Sequence, residues 1–306
     1  MTSRPIATED DVVAAAADPA RLACVVGPTA TGKTELAVRV CERVGGEVIS
    51  ADSVRVYSRF ELGTGKPSAD ERRRAPHHLV DVVDALDPMD ASRWVALADA
   101  AIADVRARGK VPVVCGGTFL WVKALAQGLA PMPSADEAIR AAHRAIAEKD
   151  GRAALHARLA AVDPDAAARL HPNDLVRVSR ALEVFELAGE TMSALQARHA
   201  FGSRRHDAAL FAIELDAEVL RARIEARVRA WLDAGWVDEV KALLAAGLRD
   251  ARAMGSVGFA EIAAALAAGG PIAREPLVAE IVQHTRIFAR RQRTWLNHEP
   301  VRWLRP

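Results

Sequence analysis

The sequence predicts an α/β protein, a doubly wound parallel sheet that carries an all-helical insertion. Three observations lead there. Short apolar runs at 22–26 (LACVV), 47–50 and 111–115 (VPVVC) alternate with amphipathic stretches of helix length. That spacing is the signature of strand–helix–strand crossovers, which only a parallel sheet accommodates. The stretch 136–200 holds no such run and reads as helix, rich in Ala and Arg and broken at DP and HPND. At 209–215 (ALFAIEL) the strand pattern returns, so the helical block interrupts one core. The expected division is a catalytic core of 1–135 and 206–306 with an insertion at 136–205.

Residues 1–20 read as a polar or helical lead-in. The run 22–26 is apolar throughout, as a strand buried on both faces must be, and it enters Gly27. An amphipathic helix is expected at 33–44, and the strand 47–50 leads to Asp52. HLVDVV at 78–83 is a candidate third strand. A helix at 92–108 has Asp90 or Ser92 as its cap. The strand 111–115 runs into Gly116-Gly117-Thr118. After 209–215, helices are expected at 218–234, 237–246, 259–268 and 278–295, followed by a short tail, VRWL.

Composition narrows the function classes. The chain has 306 residues, a net charge of +1, 51% hydrophobic and 26% charged residues. No global charge marks a nucleic-acid binder, so any such role rests on local patches. Cys24, Cys41 and Cys115 lie far apart in apolar context and read as buried small hydrophobes in a reducing compartment. No apolar run spans a membrane, and MTSRPIATEDD lacks signal-peptide character. The expectation is a cytoplasmic protein with no membrane role, a monomer by default. No internal repeat is present.

Gly27-Pro28-Thr29-Ala30-Thr31-Gly32-Lys33-Thr34 fits G-x-x-x-x-G-K-[ST] between a strand and a helix, so the core is P-loop NTPase-like. Such a loop points backbone N–H groups at phosphate, with the helix N-terminus and Lys33 adding positive charge. The Thr34 hydroxyl is placed for Mg²⁺. The loop says diphosphate or triphosphate, not ATP. No apolar strand ends in a Walker-B acid: VPVVC runs into glycines, and Asp81 interrupts HLVDVVD. No NKxD motif is present. These features favour group transfer over nucleotide hydrolysis. Asp52, at the end of a strand expected beside the loop strand, is then a general base, a magnesium ligand or a turn residue.

GPTATGKT, ISADSVRVY, LGTGKP, HHLVD, CGGTFLWVKAL, HPNDLVRVSRALEVFELAGE and TRIFARRQRTWL occur in this order. Together they resemble the tRNA dimethylallyltransferases (tRNA isopentenyltransferases) across 22–296, nearly the whole chain. The resemblance implies transfer of a dimethylallyl group from dimethylallyl diphosphate to N6 of the adenine 3′ of the anticodon in tRNA. The loop residues 27–34 would grip the diphosphate with Arg223 and Arg227, and Mg²⁺ would sit on Thr34. Asp52 would be the general base, with Thr118 and Lys33 completing the catalytic set. The tRNA would be held by Asp52, Ser53, Val54, Arg55, Thr118 and Arg140, and by Val176, Arg177, Val178, Ser179 and Arg180. Plainer readings stand beside these: a helix cap for Thr118, a solvated helix face for Arg223 and Arg227, and ordinary surface charge for the other arginines. The basic stretch Arg286, Arg290, Arg291 and Arg293 is a second candidate for RNA phosphates. Arg72, Arg73 and Arg74 read as solvated loop, and His77 and His78 as structural. Four residues depart from the family pattern: Arg55 for Gln, Trp121 and Phe259 for Tyr, and Ala260 for a basic residue. They fall where the target base would be recognised.

Rival readings come from other classes. A nucleotide kinase would share loop and sheet but would need ATP and no insertion. An adenylate isopentenyltransferase would prenylate AMP and would not need an Arg-bearing insertion. A non-catalytic RNA-binding or nucleotide-binding module would not need both Asp52 and Lys33. A prenyltransferase of the DDxxD type lacks its motif here.

Overall fold

The computed structural model describes residues 6–199 and 204–305. Among these, seven strands form one all-parallel sheet: β1 (Ile6–Ala7), β2 (Arg21–Val26), β3 (Gly46–Ser50), β4 (His77–His78), β5 (Val111–Gly116), β6 (Asp207–Ile213) and β7 (Arg302–Leu304). The order across the sheet is β1-β7-β6-β2-β5-β3-β4.

The strand sequences explain why helices cover both faces. Side chains alternate along a strand. In β2, Leu22, Cys24 and Val26 enter one buried cluster, while Ala23 and Val25 enter another. Ile49, Val114 and Ala212 follow the first set; Val48, Val113 and Phe211 follow the second. Helices Glu9–Ala17 and Lys33–Val44 close one face with Val12, Leu36 and Val40. Helices Ala91–Ala107 and Arg274–Leu296 contribute to the other with Trp94, Ile102 and Ile281. Each branched side chain buried this way contributes roughly 1.5–3 kcal/mol relative to exposure, which is why two-sided apolar strands are stable only in the middle of such a sandwich. Asp90, not Ser92, caps its helix, accepting from the Arg93 N–H at 2.8 Å.

Several expectations are corrected. β5 lies between β2 and β3, so the strand leading to Asp52 is not adjacent to the loop strand. HLVDVV gives only the two-residue β4: Leu79 and Asp81 both take φ near +60° and turn the chain away. The segment then bonds to its own upstream loop, with Val82 and Val83 N–H groups on the Val56 carbonyl. The lead-in supplies β1 and the VRWL tail supplies β7, which pair with each other. Arg72–Arg74 ends a short helix, Ala69–Arg74, capped by Ser68. Arg74 is tied to Glu35 and Glu42 on the neighbouring helix rather than solvated.

The chain divides into two compact units, Met1–Ala126 with His206–Pro306, which holds the sheet, and Gln127–Arg205. The second unit packs Leu155, Leu159, Val178 and Leu182 in its own apolar core. Beside that core the fully buried Glu183 carboxylate accepts from Arg140, from Arg180 and from the Asp136 N–H. Its last described helix is Met192–His199, and Ala200, the end of the expected helical stretch, lies outside the described residues. Among the described residues no helix is long and apolar enough to cross a membrane.

Candidate active site

Because the strands are parallel, β2, β3 and β5 deliver three loops to one edge of the sheet, where such sheets place their ligands. The loop after β3 crosses very close to the end of β5. A Cβ on Gly116 would stand 2.0 Å from the Ala51 carbonyl oxygen, so only glycine permits the crossing. The Thr118 N–H donates to that carbonyl at 3.1 Å, and the Thr118 hydroxyl accepts from the Ser53 N–H at 3.0 Å. The hydroxyl keeps its own hydrogen as a donor toward the cavity it lines.

Asp52 is partly a turn residue. Its Oδ1 accepts from the N–H groups of Val54 at 3.0 Å and Arg55 at 3.3 Å. Its carboxylate still lines the cavity, and its Oδ2 stands 3.8 Å from Arg55 Nε. The two backbone bonds fix the carboxylate's direction, and this turn conformation is compatible with a chemical role.

The phosphate loop curls as its motif requires, with Gly27, Ala30 and Gly32 at positive φ. A left-handed alanine costs about 1 kcal/mol, which a functional loop tolerates. Lys33 is buried, and its ammonium donates to the Pro28 carbonyl at 2.9 Å, as does the Thr31 hydroxyl. Burial pushes the Lys33 pKa down to about 8, with Arg55 and Arg227 adding repulsion. Arg227 donates to the Thr29 hydroxyl at 2.7 Å, and its guanidinium lies over the Trp231 ring at 4.7 Å. Burial, then Arg55, pushes its pKa down to about 10. Arg223 reaches the Thr31 carbonyl at 3.4 Å. Lys33 and Arg227, whose charged forms burial disfavours, form with Arg223 a cationic site around one loop that an anion would relieve.

Gln292 was not among the sequence candidates. It accepts from the Thr29 N–H at 2.9 Å and donates to the Gly117 carbonyl at 3.0 Å, tying the phosphate loop to the β5 turn. A Cβ on Gly117 would fall 2.4 Å from its amide nitrogen. The sequence did hold a signal: Gln292 is a polar residue in the buried stripe of Thr285, Ala289 and Leu296.

The cavity measures about 710 Å³. Its lining combines Lys33, Arg55, Arg223 and Arg227 with the apolar Val228, Trp231, Trp236, Val257 and Ile281. Phe288, 44% exposed, also lines it. Lys66 of the GTGKP segment lines it too, but its ammonium is held by Asp81 and Glu61.

The remaining predicted residues sort by burial. Val176 is 80% exposed, and Arg177 beside it is exposed and paired only locally with Asp174. Val178 is in the core, and Ser179 is buried against His143 Nδ1 at 2.9 Å, so neither side chain is available to a partner. Arg140 and Arg180 are both committed to Glu183. Trp121 stacks on Trp94 at 5.1 Å, and Phe259 meets Phe60 edge-on at 5.2 Å. These two departures are therefore buried in core packing. Arg286, Arg290 and Arg291 are exposed, while Arg293 pairs with Glu214. His78 bonds to Glu47, and all three cysteines are buried.

Comparison with known proteins agrees with this geometry. A family profile described as IPP transferase matches residues 55–299, and one described as isopentenyl transferase matches 20–80. A tRNA dimethylallyltransferase of Sorangium cellulosum (strain So ce56) is 60% identical over 286 residues, 94% of this chain and 90% of that protein. One from Anaeromyxobacter dehalogenans (strain 2CP-C) is 51% identical, covering 94% and 95%. Among solved structures, the full-length tRNA isopentenylpyrophosphate transferase of Bacillus halodurans superposes with a TM-score of 0.68 at 33% identity, covering 94% and 90%. A eukaryotic dimethylallyltransferase acting on tRNA gives 0.77 at 25% identity, covering 93% of this chain and 73% of that one. With the profile spanning most of the chain and relatives above half identity over nearly all of it, the chain belongs to the IPP transferases, the tRNA dimethylallyltransferase family.

Proposed function

We propose that the chain transfers a dimethylallyl group from dimethylallyl diphosphate to N6 of the adenine 3′ of the anticodon in tRNA, releasing diphosphate. The observation that carries this reading is the mixed lining of one cavity. Lys33, Arg55, Arg223 and Arg227 line it together with the apolar Trp231, Trp236 and Ile281, and Asp52 and Thr118 line the same space. A five-carbon allyl chain joined to a diphosphate calls for both kinds of lining.

The bond from allyl C1 to the bridging oxygen breaks, and its electron pair leaves with the diphosphate. Lys33, Arg223, Arg227 and the loop N–H groups are placed to stabilise that growing charge before it forms. The adenine N6 attacks C1, and its proton passes to Asp52, whose turn holds the carboxylate in place. Thr118 offers its hydroxyl hydrogen to orient the base. A stacked base cannot reach the cavity, so the adenine must leave its loop stack. The helical unit is proposed as the tRNA-binding insertion. Val176 and Arg177 would make contact, and Arg140 and Arg180 would act through the position that Glu183 gives them. Ser53, Val54 and Arg55 would border the base. The enzyme would work in the cytoplasm as a monomer.

Mg²⁺ on Thr34, expected from the sequence, would have to share its ligand with a guanidinium, since the Thr34 hydroxyl accepts from Arg55 at 3.3 Å with one of its two lone pairs. No step above is assigned to the ion.

The test is a transfer assay with labelled dimethylallyl diphosphate and unmodified tRNA, AMP in a parallel reaction, and Asp52→Asn beside the wild type. Label in tRNA, reduced about 10²–10⁴-fold in the variant, is the expected result. Label in AMP instead would reject the tRNA reading.

A further inference from the structure

Arg55 reaches the Thr34 hydroxyl, the side chain on which a phosphate-loop motif ordinarily holds a metal. Its Nη1 donates to Thr34 Oγ1 at 3.3 Å, and its Nε lies 3.5 Å from the Thr64 carbonyl and 3.8 Å from Asp52. The side chain is only 12% exposed. A guanidinium carries five N–H donors, and these long contacts leave it poorly paired for a buried cation. It lines the same cavity as Lys33 and Arg227. Its charge also helps to lower the pKa of both, so the three charges feel one another. Beside it Gly65 carries no side chain; a Cβ there would approach Arg55 Nη2 at 3.4 Å.

We propose that Arg55 is the resident cation of the diphosphate site, standing at Thr34 where a phosphate-loop protein ordinarily places a divalent metal, so that diphosphate binding by this chain persists without Mg²⁺. A planar guanidinium matches phosphate oxygens in a bidentate fork, and its charge is permanent. A dication on the same hydroxyl would sit about 2.1 Å from an oxygen that already serves a cation, and would be repelled by it. The inference rests on the proposed diphosphate chemistry for its meaning but not for its test.

The test is calorimetric binding of inorganic diphosphate, without tRNA or allyl substrate, in excess EDTA and in millimolar Mg²⁺. Wild type should bind in EDTA within about threefold of its affinity in Mg²⁺. Arg55→Gln should lose about tenfold or more in EDTA and regain most of it with Mg²⁺ as the emptied hydroxyl takes the metal. Arg55→Lys, which keeps the charge without the fork, should fall between them. An equal Mg²⁺ dependence in wild type and Arg55→Gln would overturn the proposal. So would an equal loss by both variants in both buffers, since that pattern marks a purely structural side chain. Failure of tRNA transfer with intact metal-independent binding would reject the proposed reaction and leave Arg55's role standing.

Discussion

Binding of dimethylallyl diphosphate should draw up to one proton onto Lys33, the amount set by pH. The ligand-free ammonium has its pKa pushed down to about 8, by burial first. About half the molecules therefore carry a neutral Lys33 at pH 8, and about nine-tenths at pH 9. A diphosphate bound beside it restores the charge. Uptake should then be about 0.1 proton per site at pH 7, about 0.5 at pH 8 and about 0.9 at pH 9. If only the charged form binds well, apparent affinity falls about tenfold per pH unit above pH 8. Calorimetry in buffers of different ionisation enthalpy reads the uptake directly. The ligand's own last ionisation, at about 6, offsets the uptake at pH 7 but contributes little at pH 8 and 9, and Arg227, held at about 10, stays charged through most of the range. Lys33→Met should abolish both uptake and slope. Uptake below about 0.2 proton at pH 9 in the wild type would refute the picture of a buried lysine awaiting an anion. The same shift has a sign for stability. The folded pKa lies below the ordinary 10.5, so the fold disfavours the charged form, and this group's contribution to ligand-free stability rises between about pH 8 and 10.5.

Two further perturbations test the scaffold. Gln292→Leu keeps the volume but removes the bonds to the Thr29 N–H and the Gly117 carbonyl. Stability in denaturant titration should fall by about 2–4 kcal/mol, and the KM for dimethylallyl diphosphate should rise more than kcat falls, because the loop loses its tether. Glu47→Gln tests acid stability. Arg108, then His78, holds the buried Glu47 carboxyl down at about 2 against an ordinary 4.5. That stabilisation is present above about pH 4.5 and lost as pH falls toward about 2. Discounted for the solvent-exposed Arg108, it amounts to about 2 kcal/mol, and the variant should show a correspondingly flatter fall in melting temperature across that window.

How much of this was legible depended on whether the information was local. The phosphate loop, its flanking strand and the helix Lys33–Val44 follow from a contiguous motif and a 3.6-residue pattern. The order β2-β5-β3 does not, because a crossover's length fixes neither which slot a strand takes nor what is later inserted beside it. β1 and β7 are two and three residues long and exist only through each other and β6. HLVDVV has strand composition, but Asp81 is drawn to Lys66 and Arg72, ion pairs that a strand periodicity does not register. At 176–180 the resemblance supplied a block of residues, whereas helical geometry splits it: Val176 and Arg177 face out, and Val178 and Ser179 face in. Gln292 and Arg55 act through partners 263 and 21 residues away, so only the fold discloses their positions.

The crowding of cations has a consequence for catalysis beyond binding. Lys33 and Arg227 are held at reduced pKa by burial and by their neighbours, and Arg227 Nε is buried without a hydrogen-bond partner. The empty site therefore carries unmet electrostatic demand, at a cost to stability. A substrate diphosphate relieves part of it. Charge on the diphosphate increases as the C1–O bond breaks, so the same fixed groups gain more from the transition state than from the bound substrate, which is the condition for accelerating the chemical step. They gain most of all from free diphosphate. Such a site is chemically effective because its charges are fixed before the reaction begins, and for the same reason it holds its product. Any weakening of Lys33 or Arg227 should thus trade slower bond cleavage for faster release, which links the pH dependence of binding to the pH dependence of turnover.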